Sequence, residues 1–87
     1  MKVERGMLKL SLWPTRNNGG HWSPSDAQQE TLLSIPQVES VDSFGAGPWT
    51  VIVVFQSIEE LQQGLPGVER DILAVLDNPS LRMIRRY

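Results

Sequence analysis

His21 is the single imidazole of the chain and Cys is absent, so any nucleophilic, acid-base or metal arrangement would have to be built around one histidine. Asp26 or Glu30 could orient that imidazole for proton transfer, yet a lone loop histidine usually has no such task. One histidine without thiols supplies too few ligands for zinc, and no metal or cofactor is expected. Ser23 and Ser57 stand where helix caps would stand, there is no Gly-x-Ser-x-Gly elbow, and Walker-type and dinucleotide-binding glycine patterns are missing. No catalytic residue is assigned. The residues kept for a ligand-binding alternative are Arg16, Asn18, Gly19, Gly20, His21 and Trp22, a glycine-rich loop with a cation and an aromatic ring.

The elements that would position these groups follow from periodicity. Leu8, Leu10 and Leu12 alternate with Lys9, Ser11 and Trp13, a half-buried strand that ends at Pro14. The run from Pro14 to Trp22 holds adjacent Asn and adjacent Gly and reads as a loop. Ser23-Pro24-Ser25-Asp26 places a hydroxyl at a cap, proline at the first helical position and an acid in the first turn. Ala27, Thr31, Leu32 and Ile35 would line one helix face, and Pro36 ends the helix near Ser34.

Val38 to Phe44 alternates weakly, with Val38, Ser40 and Asp42 on one side and Glu39, Val41 and Ser43 on the other, before a Gly45-Ala46-Gly47-Pro48 turn. Trp49–Phe55, built of β-branched and aromatic residues, is the second arm of that hairpin. Ser57-Ile58-Glu59-Glu60 is a capping box opening a second helix. Gly64-Leu65-Pro66-Gly67 is expected to kink or split it, and Asp77-Asn78-Pro79 to stop it. Leu81 to Arg86 is a last short strand.

The order β-α-β-β-α-β across residues 1–87 predicts one α+β domain of the ferredoxin-like split βαβ plan, with two helices on one face of a four-stranded antiparallel sheet. Strands one and three form the central pair, expected to be parallel-related, with strand four beside strand one and strand two at the other edge. Both helices are then expected to begin at the same end of the sheet, where the glycine-rich loop would join Ser23, Gln56 and Ser57 as an anion site.

The opposite sheet face carries the other reading. Alternation assigns to it Lys9, Ser11 and Trp13; Glu39, Val41 and Ser43; Thr50, Ile52 and Val54; and Arg82, Ile84 and Arg86. Val41, Ile52, Val54 and Ile84 make its centre apolar, which a solvated sheet face should not be. The competing explanation is that a central strand is apolar on both sides. The residues assigned to a partner surface are Lys9, Trp13, Val41, Ile52, Val54, Arg82, Ile84 and Arg86. Lys9, Arg82 and Arg86 lie to one side and Glu39 with Asp42 to the other, so a two-fold homodimer could match the two signs.

With 87 residues, 40% hydrophobic and 21% charged, the chain fits a single globular domain, and its net charge of −2 removes the electrostatic term that drives nucleic-acid binding. No apolar run approaches the roughly 18 residues of a transmembrane helix, and no membrane contact is expected. The first six residues include the charged Lys2, Glu4 and Arg5 and are not followed by an apolar run with a cleavage site, so the expected compartment is the cytoplasm.

Trp49–Phe55 followed by Ser57-Ile58-Glu59-Glu60-Leu61 resembles the third strand and second helix of an RNA recognition motif. That family stacks bases on strand aromatics, and Lys9, Thr50 and Ile52 occupy those places here, so the resemblance implies no base stacking. Ser11-Leu12-Trp13-Pro14 with Trp22 is similar to a short signature of MbtH-like proteins; His21 stands where that family has Gly, and the match ends at Ser23. The whole element order resembles the dimeric α/β-barrel families, which implies a covered sheet face and, as the alternative function, an enzyme or small-ligand binder using the loop. The preferred expectation is a small non-enzymatic interaction module, accessory, regulatory or inhibitory, acting through its sheet face on a second copy or a larger protein.

Overall fold

The computed structural model describes residues 5–14, 23–43, 49–78 and 81–86. The elements are β1 (Gly6–Pro14), α1 (Asp26–Leu33), β2 (Val38–Ser43), β3 (Trp49–Phe55), α2 (Ile58–Leu76) and β4 (Leu81–Arg86). They form the α+β split βαβ arrangement, one four-stranded sheet in the order β2-β3-β1-β4 with every neighbouring pair antiparallel. The core lies between sheet and helices: Leu8, Leu10 and Leu12 of β1 and Val51, Val53 and Phe55 of β3 meet Leu32 of α1 and Leu61, Leu65, Val68, Ile72 and Leu76 of α2.

The central pair is antiparallel and not parallel-related: Gly6 lies opposite Phe55 and Leu12 opposite Trp49. Parallel directions belong to β1 with β2 and to β3 with β4, each pair separated by one strand. The two helices therefore begin at opposite ends of the sheet, which corrects the shared-end expectation. Gly6 shows where α2 starts, because a Cβ there would lie 2.5 Å from the Ser57 carbonyl oxygen and 2.7 Å from Leu61 Cβ. Only glycine lets β1 come so close to the first turn of the helix.

α1 is capped by Ser25, not Ser23. Ser25 Oγ accepts the Gln28 N–H at 3.1 Å and the Gln28 side chain accepts the Ser25 N–H at 2.9 Å, a complete capping box. Of two available hydroxyls, Ser25 has the amide partner three residues on. Leu32 is the buried residue of this helix and Ile35 packs beyond its end, whereas Ala27 and Thr31 are exposed. Ser57 caps α2 by accepting the Glu60 N–H at 3.1 Å.

α2 is neither split nor ended by Gly64-Leu65-Pro66-Gly67; it runs as one helix of 19 residues. An interior proline costs about 3 kcal/mol, but burying each of five aliphatic side chains contributes roughly 1.5–3 kcal/mol. Leu61, Leu65, Val68, Ile72 and Leu76 keep one buried stripe through the interruption, while Pro66 and Gly67 face outward. Asp77 closes the helix in the left-handed region at φ 46°, and its N–H donates to the Leu73 carbonyl at 2.9 Å.

β2 holds the largest departure from simple alternation. Val38 lies opposite Val53 but Ser40 lies opposite Ile52, so Glu39 is an extra residue in a β-bulge. After it the faces exchange: Val41, opposite Val51, packs on the helix side, and Ser40 and Asp42 take the other. The bulge lets two valines three residues apart both reach the core. Val41 therefore does not belong to the open face.

Candidate functional site: the open face of the sheet

The face away from the helices is a grid set by strand pairing. One row runs Ser40, Ile52, Lys9, Arg86; the next runs Asp42, Thr50, Ser11, Ile84. Beyond the first row Val54 lies opposite Met7, and beyond the second Trp13 lies opposite Arg82. Of the residues assigned to this surface from the sequence, Lys9, Trp13, Ile52, Val54, Arg82, Ile84 and Arg86 are brought together, and Val41 is not. Met7, Ser40 and Asp42 are additions. The alternation already pointed to Met7, since Met7, Lys9, Ser11 and Trp13 are spaced by two, but Gly6 reads as a boundary unless its contact with α2 is known.

Exposure separates this grid from the core. Met7 is 58% exposed, Trp13 and Ile84 are each 38%, and Ile52 and Val54 are half-buried. Ser11 and Thr50, the small hydroxyl residues of the middle row, are buried at 5% and 7%. Their neighbours Lys9, Trp13, Ile52 and Ile84 are larger, so the row forms a low polar floor between taller side chains. A surface with apolar walls, a hydroxyl floor and the cations Lys9 and Arg82 among them has the makings of a docking face.

The charges are distributed unevenly. Lys9 and Arg82 are exposed and make no side-chain hydrogen bond or ion pair with the described residues. On the helix side of β4, Arg85 is held instead by Glu69 of α2, with Nη2 at 2.7 Å and Nε at 3.0 Å from the two carboxylate oxygens. Among the described residues the other acids gather on the helix layer, with Asp26 and Glu30 on α1, Glu59, Glu60 and Asp71 on α2 against Arg70, and Asp77 at the end of α2. The acid on the open face is Asp42, whereas Glu39 occupies the bulge.

The loop residues Arg16, Asn18, Gly19, Gly20, His21 and Trp22 lie outside the described residues. The described groups expected beside one another at one end of the sheet lie apart. Gln56 and Ser57 are at the opposite end of the sheet, beside Gly6. At the loop end, Gln28 Nε2 of α1 donates to the α2 carbonyls of Val75 at 3.3 Å and Leu76 at 3.2 Å. A helix C-terminus beside a helix N-terminus offsets its potential, so the two-helix anion site is lost. Among the described residues no group of three or more acidic or histidine side chains could hold a metal, and no helix is long and apolar enough to cross a membrane. Set against known proteins, the chain matches no family model, no curated protein and no solved structure.

Proposed function

We propose that this chain is a small non-enzymatic interaction module, acting by accessory, regulatory or inhibitory contact through the open face of its sheet. The observation that carries this reading is the cluster of Met7, Trp13 and Ile84 at 38–58% exposure around half-buried Ile52 and Val54. Strands need only one apolar face to fold against two helices, and a second one exposed to water is a cost that a partner removes. The cytoplasm is the compartment in which we place this activity.

A photo-crosslinking side chain at position 84, compared with one at Arg70 on the outer surface of α2, tests the reading in native lysate. Discrete adducts from position 84 that Ile52→Glu abolishes are the expected result, with none from position 70. Sedimentation of wild type and Ile52→Glu runs alongside to detect self-association. A monomer in both, without position-specific adducts, overturns the proposal.

A further inference from the structure

We infer that the open face is built for an acidic, amphipathic protein segment and not for a second copy of this chain, an inference that rests on the reading of that face as a contact surface. Two observations converge. Lys9 and Arg82 stand on it without a charged partner among the described residues. Asp42 alone opposes these cations on the grid, while the helix layer is rich in acids.

Among the described residues, a two-fold sheet-to-sheet dimer would therefore bring one acid, Asp42, for two cations, Lys9 and Arg82, from each copy, joining two faces of like sign. An anionic segment with an apolar stripe fits better. Its apolar side chains cover Ile52, Val54, Ile84 and Met7, and its carboxylates reach Lys9 on the central strand and Arg82 on the edge strand. A nucleic acid satisfies the charges but leaves the aliphatic centre uncovered, since β3 presents Thr50 and Ile52 where a stacking ring would be needed.

The probes are an amphipathic helical peptide of Leu and Glu, its Leu and Lys counterpart, and a single-stranded oligonucleotide, each titrated into the isotope-labelled protein while amide shifts are followed. The acidic peptide is expected to shift Lys9, Trp13, Ile52 and Ile84, and to weaken as salt rises past the point where the Debye length falls below about 8 Å. Lys9→Glu with Arg82→Glu should weaken it roughly ten-fold, and Lys9→Gln with Arg82→Gln by less. Both positions are exposed, so thermal melts of these variants should stay close to wild type.

Equal response to both peptides, no response to either, or shifts confined to the helices overturns the inference. A dimer dissolved by Ile52→Glu also overturns it, while leaving the face as a contact surface. Tighter binding of the oligonucleotide at the same residues overturns both the inference and the protein-interaction reading.

Discussion

The two faces of one sheet obey different rules in this molecule. On the helix side, β1 and β3 offer Leu8, Leu10, Leu12, Val51 and Val53, all at 1% exposure or less. On the open side the same strands offer Met7, Lys9, Ser11, Trp13, Thr50, Ile52 and Val54, a mixture of aliphatic, hydroxyl and cationic groups. The first composition is what burial demands. The second is not, because water would accept polar residues at each of those positions, and the proposed contact surface is the use to which its apolar members would be put.

Truncation is the strongest way to break this comparison. Leu10→Ala or Ile72→Ala, both at residues with no exposure, should cost about 2–5 kcal/mol in urea unfolding. Ile52→Ala on the open face should cost about 1 kcal/mol, since its side chain is already part-hydrated. Equal losses would mean that the open face is as covered in the monomer as the core.

Backbone approach gives the next effect. Gly6→Ala forces a Cβ against the Ser57 carbonyl and Leu61, and Gly64→Ala places one 2.7 Å from the Phe55 ring, so each should lower stability by about 1–3 kcal/mol. Gly67, in the same helix as Gly64, has nothing within 4 Å of an added Cβ. Gly67→Ala should raise stability by about 0.5–1 kcal/mol through helix propensity alone. Thermal melts of the three variants check whether the α2 side that touches β3 is as tightly packed as its outward side is free.

The bulge in β2 decides which face a residue serves, and it marks the limit of what the sequence displays. β3 was legible from its run of β-branched and aromatic residues, β4 from the alternation of Leu81, Met83 and Arg85 with Arg82, Ile84 and Arg86, and the strand order from the element order with right-handed crossovers. The cap at Ser57 was legible, although Glu60 does not return the bond that the expected capping box requires; at α1 two serines compete and Gln28 decides. Val-Glu-Ser-Val-Asp-Ser alternates acceptably in either phase, so its face assignment was not legible by period alone. The physical sign was the three-residue spacing of Val38 and Val41, which a regular strand cannot turn to one side. Opposite helix ends follow from antiparallel pairing of β1 with β3, a consequence of strand direction that no single segment carries. Val41→Asp should thus cost about 1–3 kcal/mol, while Ser40→Asp, one residue away and on the open face, should stay within about 0.5 kcal/mol. Reversed sensitivities in denaturant unfolding would restore the unbulged register.

Charge removal has the smallest effect, and its size should differ between the faces. Glu69→Gln on the helix side breaks a two-point contact with Arg85, whose side chain is 45% exposed while that of Glu69 is 17%, so solvent limits the loss to about 0.5–1 kcal/mol. Lys9→Gln on the open face removes a cation with no charged partner among the described residues and should leave stability within about 0.3 kcal/mol of wild type. Added salt screens the Glu69–Arg85 pair, so the Glu69→Gln variant should approach wild type as ionic strength rises. The difference would show that the helix side completes its ion pair within the monomer, while Lys9 on the open side carries charge that folding leaves uncompensated. A loss on Lys9→Gln as large as that on Glu69→Gln would mean that Lys9 already has an anionic neighbour in the monomer, and the case for an acidic partner would go with it.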